Sequence, residues 1–198
     1  MASTRHAVGP PRQPAAARPR ARIGARRINY LIELQPDLPV DDLVYMAPAC
    51  SVAEAARALV PFLRRKQMEC AAEVGQYSFQ SSRLRGPTKF WLLTLHPLAD
   101  ASEIYPEFLD LPARGSLLEW IDDWYTSASH PLDRTFGKWN NALPAIHLFE
   151  SVFEQVHFKA FGVDGDSKPQ RHGDFNTCPF WRRDFWDPEG MGPVSPAG

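Results

Sequence analysis

Long apolar runs are missing from this chain. No stretch approaches the roughly 18 apolar residues a membrane-spanning helix needs, and the amino-terminal residues lack the apolar core of a secretory signal. Cysteine is scarce. Cys50, Cys70 and Cys178 are odd in number and widely spaced, and no C-x-x-C occurs. That pattern argues against a disulfide scaffold and a zinc ribbon, and the expectation is reduced thiols in a cytoplasmic protein. Glycine-rich phosphate loops are absent: neither G-x-x-x-x-G-K-[ST] nor G-x-G-x-x-G is present. The G-x-S-x-G nucleophile elbow is absent too. Nucleotide-dependent enzymes and α/β hydrolases therefore have no motif support, and no motif calls for a cofactor.

Acidic side chains are missing from residues 1–27, which hold seven arginines. All 23 Asp and Glu lie beyond, against the remaining 15 of the 22 Lys and Arg, so the leader carries +7 and the body −8. The leader is Ala, Arg, Pro and Gly with almost nothing to bury, and it is expected to be disordered. Residues 28–188 are expected to form one globular domain, and 189–198 a disordered tail. A −8 body suits nucleic acid poorly, because phosphate contacts dominate that affinity. Any polyanion binding is assigned to the leader or to a local patch.

Within the body, Ile28, Tyr30, Ile32 and Leu34 alternate with Asn29, Leu31, Glu33 and Gln35, which predicts a strand. Residues 42–46 read as a short strand or turn. Ser51-Val-Ala-Glu54 is a capping box opening a helix that Pro61 interrupts and that finishes near Cys70. Residues 74–81 and 88–95 read as paired strands. The second, Lys89-Phe-Trp-Leu-Leu-Thr-Leu95, is apolar enough for a central strand. Asp100-x-x-Glu103 and Ser116-x-x-Glu119 are further capping-box patterns, and the second predicts a helix over 117–126. A loop holding Gly137-Lys-Trp-Asn-Asn141 follows. Leu148, Phe149, Val152, Phe153, Val156 and Ala160 then form one stripe of a helix predicted over 144–160, with Gly162 as its cap. The order points to an α+β domain: a small mixed or antiparallel sheet of three or more strands, packed by three to four helices.

Three groups of residues carry candidate chemistry. On the predicted helix 144–160, His147, Glu150, Glu154 and His157 fall within an arc of roughly 80°. Imidazoles and carboxylates at such spacings can converge on a divalent metal, as in a hydrolase or nuclease, although the partner motifs of a di-iron bundle are absent. Asp164 and Asp166 open the following loop like a calcium site, but Lys168 and Phe175 stand where oxygen ligands belong. The second group is the basic patch Arg64, Arg65, Lys66, Arg83, Arg85 and Lys89, which with nearby aromatics suits single-stranded nucleic acid. The third is the segment Trp181, Arg182, Arg183, Phe185 and Trp186. Trp and Arg are enriched at binding hot spots, so this segment docks either on its own core or on a partner. The leading expectation is a non-catalytic protein-binding protein that acts through the acidic body and this aromatic-Arg segment. The alternatives are a metal-dependent hydrolase or nuclease, and a nucleic-acid accessory factor that uses the leader.

Overall fold

Lys89–Leu95, apolar apart from its Lys and Thr, forms the central strand. A computed structural model of the protein describes residues 24–76, 86–103, 115–125, 130–163, 169–179 and 182–187. Strands β1 (Asp42–Met46), β2 (Lys89–Leu95) and β3 (Val156–Phe161) make a three-stranded sheet in the order β1-β2-β3. Both pairings are parallel, with Val44 opposite Trp91 and Trp91 opposite His157. The sheet of the α+β domain is therefore parallel rather than antiparallel. A parallel sheet needs cover on both faces, and burial follows the strand period of two. Leu43, Tyr45, Phe90, Leu92, Val156 and Phe158 turn to one face. Val44, Met46, Trp91, Leu93, Leu95 and Phe161 turn to the other.

The first face is covered by α1 (Ala25–Leu34), α2 (Val52–Gln76) and a 3-10 segment, Pro144–Gln155. The Ser51 box forms as read. Glu54 N–H donates to Ser51 Oγ at 3.1 Å, and Ser51 N–H donates to Glu54 Oε2 at 3.0 Å. Helix α2 then runs through Pro61 and past Cys70 to Gln76. Residues 74–76 are thus helical, and the rest of the expected strand 74–81 lies outside the described residues. Phe136 stacks on Phe90 and Phe149 with ring centres 6.2 and 5.7 Å apart, and Phe158 meets Phe136 edge-on.

Two sequence expectations are overturned here. Residues 28–34 are helix, not strand. Their alternation hides a helical stripe of Ala25, Ile28, Asn29 and Ile32 that faces inward. Tyr30 and Leu34 face outward, 63% and 61% exposed. Buried Asn29 accepts a 2.6 Å hydrogen bond from the Tyr45 hydroxyl, which makes its burial tolerable. Residues 144–160 are not one α-helix either. The 3-10 segment breaks at Val152 (φ −134°, ψ 22°), and the chain becomes extended at Val156. Buried Gln155 sits at this change, its amide nitrogen placed to donate to the carbonyls of Leu63 (3.2 Å) and Thr88 (2.9 Å). Gly162, at φ +79°, ends the strand rather than a helix.

The second face is covered from the carboxyl-terminal side of the chain. Phe175, in a 3-10 turn over His172–Asn176, meets Phe161 edge-on, and Trp186 of α6 (Arg183–Trp186) lies against Trp91. The remaining helices are short: α3 (Pro97–Ser102), α4 (Leu117–Trp120), which widens into a π turn over Ile121–Tyr125, and α5 (Trp139–Ala142). Helix α3 is capped by His96, so Asp100-x-x-Glu103 does not open a helix. Among the described residues no helix is long and apolar enough to cross a membrane.

Candidate functional site

Strand β3 pairs with β2 on one side, and among the described residues no strand pairs with its other side. A hollow of about 610 Å³ straddles this edge. Toward the first face it is lined by Val156 and Phe158 of the strand, with Ile146 and Phe153 of the 3-10 segment. Phe153 is 57% exposed. Toward the second face it is lined by His157, Lys159, Trp186 and Asp187, with Lys89 and Trp91 of β2 beneath.

Hydrogen bonds and stacking fix this wall. His157 stacks on Trp91, directly opposite in the register, at 4.2 Å and 20° between planes. Trp186 tilts against the same indole at 5.1 Å. Trp91 Nε1 donates to Asp42 at 3.3 Å, and Arg183 reaches Asp42 at 3.5 Å and Asp187 at 3.0 Å. Lys159 Nζ donates to the Phe185 carbonyl at 3.2 Å and lies over the Phe161 ring. Burial, reinforced by Lys89, pushes the His157 imidazole below its ordinary value, against the pull of Asp187 and Asp42. It is therefore neutral at pH 7. Its Nε2 is buried and has no hydrogen-bond partner among the described residues.

The aromatic-Arg segment thus docks on its own sheet. Trp186 is buried, Phe185 stacks on Phe161 at 5.1 Å, and Arg182 pairs at the surface with Asp184. Trp181 lies outside the described residues. Through Trp186 and the adjoining Asp187 it also builds part of the wall of the hollow.

The His/Glu group loses its common face because the helix it requires is not formed. His147 Nδ1 lies 2.8 Å from the Pro144 carbonyl, and Glu150 and Glu154 are exposed on the 3-10 segment. His157 belongs to β3. Among the described residues no group of three or more His, Cys, Asp or Glu is placed to hold a metal. Asp164 and Asp166 lie outside those residues. The basic patch is divided among partners. Arg64 donates to Ser151 Oγ at 2.8 Å, Arg65 pairs with Glu69 and Asp37, and Lys66 pairs with Glu69 at 2.8 Å. Lys89 turns to the hollow, and Arg83 and Arg85 lie outside the described residues. Burial, with Glu54 adding to it, pushes the Cys50 thiol up to about 11, so it is no nucleophile.

Sequence reasoning missed a second polar cluster, at the carboxyl ends of the strands. Lys138, bridged to Leu95 of β2, is buried. Its ammonium lies 2.6 Å from Glu119 and 3.5 Å from Asp122. Asp122 is fully buried and accepts from the Thr135 amide (2.7 Å) and Asn141 Nδ2 (2.6 Å). Buried Asp100 stands nearby, raised to about 6 by loss of water. Ser116 caps α4 as its motif implies, but Glu119 turns to Lys138 instead of back to the cap. The runs Ser116-x-x-Glu119 and Gly137-Lys-Trp-Asn-Asn141 were visible signals, but their convergence was not. The cluster ties Glu119 and Asp122 to Lys138 at the end of β2.

No protein-family model matches this chain, and no curated protein or solved structure matches it either.

Proposed function

We propose that this is a non-catalytic binding protein that takes an extended segment of another protein along the open side of β3. One observation carries the reading: the hollow surrounds an edge strand whose second side has no strand partner among the described residues. An open edge presents backbone donors and acceptors in a row, and strand addition uses them for affinity. Six residues of β3 span about 20 Å at the usual rise, enough for a short peptide. Exposed Phe153, on the first-face wall of the hollow, gives an aromatic anchor at the rim. The aromatic-Arg segment contributes by building one wall.

Selection from a random peptide library, followed by amide exchange on the bound protein, tests this. The expected result is peptides that slow exchange within residues 156–161 and that lose at least tenfold in affinity for the well-folded Phe153→Arg variant. Selected peptides that leave those amides unprotected would overturn it. So would tenfold tighter binding by a chain cut after Asp187, because that would make residues 188–198 the resident occupant.

A further inference from the structure

A second hollow lies apart from the strand edge, beyond the carboxyl end of β1, and we propose that it binds a small monocarboxylate with an apolar body. Its volume is about 470 Å³, the size of a small-ligand site, and open parallel sheets bind ligands at this end of their strands. Two helix starts border it: Gly24, Ala25 and Arg26 at α1, and Ser51 ahead of α2. The two starts differ. Ser51 and Glu54 satisfy α2, whereas α1 has Gly24 at its cap position and no side-chain cap among the described residues. The first amides of a helix have no acceptor within it and carry partial positive charge. An anion in the hollow would satisfy those of α1.

Thr135 supports a ligand here independently. It is 3% exposed, and its Oγ1 has no hydrogen-bond partner among the described residues. Its backbone N–H and carbonyl are taken by Asp122 and Asn141. Thr135 lies opposite Ser51 in an antiparallel bridge, so the two side chains share a face, and both residues line the hollow. The charge of the ligand is limited. Arg26 Nε already holds Glu54 at 3.2 Å, and Asp133 also lines the hollow. One negative charge is offset by α1 and Arg26, but the second charge of a phosphate would meet both carboxylates. Ala49, Cys50 and Ile121 complete the wall. A smaller hollow of about 190 Å³ continues from Gly24, Ala25 and Ala49 over Ile28, Val44 and Met46, which gives a hydrocarbon body its place.

Hexanoate, hexanamide and inorganic phosphate are titrated into the full chain, with backbone amide NMR shifts read throughout. Hexanoate is expected to bind at least tenfold tighter than the other two and to move the amides of residues 24–26, 51 and 135. Gly24→Asp supplies the anion from the chain itself. Gly24 is extended (φ −64°, ψ 149°), a Cβ there meets nothing within 4 Å, and Asp is a preferred cap. This variant should melt higher than the parent and lose at least tenfold in hexanoate affinity. Thr135→Val deletes an unpartnered hydroxyl, so it should keep parental stability and lose affinity several-fold. Equal binding of hexanamide overturns the carboxylate, and equal or tighter binding of phosphate overturns the single charge and the apolar body. Undiminished binding by Gly24→Asp overturns α1 as the seat of the anion, and undiminished binding by Thr135→Val removes the hydroxyl from the site. Shifts confined to other residues, or no binding by any of the three, overturn the site itself.

Discussion

Two residues show how closely the carboxyl end of the sheet is fitted. Gly137 N–H donates to the Pro48 carbonyl at 2.8 Å, and a Cβ at residue 137 would lie 2.5 Å from the carbonyl carbon of Ala47 and from the Pro48 oxygen. Both neighbours are backbone and cannot swing aside. Gly137→Ala is therefore expected to cost about 2–3 kcal/mol by urea unfolding, within the range for overpacking. A variant as stable as the parent would show that this loop moves freely. Asp100 adds a pH dependence. Its folded-state value of about 6 stands above the ordinary 3.8, so the native state holds the proton more tightly than the unfolded chain. Its contribution is thus fully present below about pH 4 and is lost as pH rises through 6. Asp100→Asn keeps a neutral partner for Ser116. Above pH 7 it is expected to be more stable than the parent by about 1–2 kcal/mol, with the gap closing toward pH 4. Melting curves at pH 4.5 and 7.5 with the same gap would contradict this.

Elements were legible where one signal dominated. Helix α2 declares its start, because Ser51 and Glu54 form a reciprocal pair that needs nothing distant. Ser51→Ala should accordingly cost about 1 kcal/mol in thermal or urea unfolding, as for other lost caps. A change within error would mean Glu54 alone satisfies the turn. Strand β2 was legible because a strand buried on both faces must be apolar throughout. Helix α1 was not. Ile28, Tyr30, Ile32 and Leu34 satisfy period two, and only the burial of Asn29 beneath the Tyr45 hydroxyl shows which period prevailed. Strand β3 failed for the converse reason. Val152, Val156 and Ala160 match a helical stripe, while the alternation of Val156 and Phe158 with His157 and Lys159 covers too few residues to compete. What decides is parallel pairing with β2, a non-local contact that no window along the sequence contains. The candidate site inherits this error. Its residues appear in the sequence as a helix face, a basic patch and a tail, and the sheet edge collects one or two from each.

At the scale of the whole molecule, the second face of the sheet is closed by the chain's last described helix. Trp91, Leu93, Leu95 and Phe161 meet Phe175, Phe185 and Trp186 there, although α6 is only a four-residue helix. So short a helix has little stability of its own, and it stays in place because its aromatics are buried and Arg183 ties it to β1 through Asp42. Trp186→Ala would remove the indole packed 5.1 Å from Trp91 and open a cavity in this layer. The expected cost is about 3–5 kcal/mol, typical of a buried Trp, with Trp fluorescence and dye binding reporting an exposed sheet face. Phe153→Arg changes a residue already 57% exposed and should leave stability within about 0.5 kcal/mol. The contrast separates the roles of two aromatics on opposite sides of the hollow: Trp186 builds its wall and Phe153 stands at its mouth. A well-folded Trp186→Ala protein with parental stability would mean that α6 does not close the sheet, and the hollow beside β3 would then lose the wall that defines it.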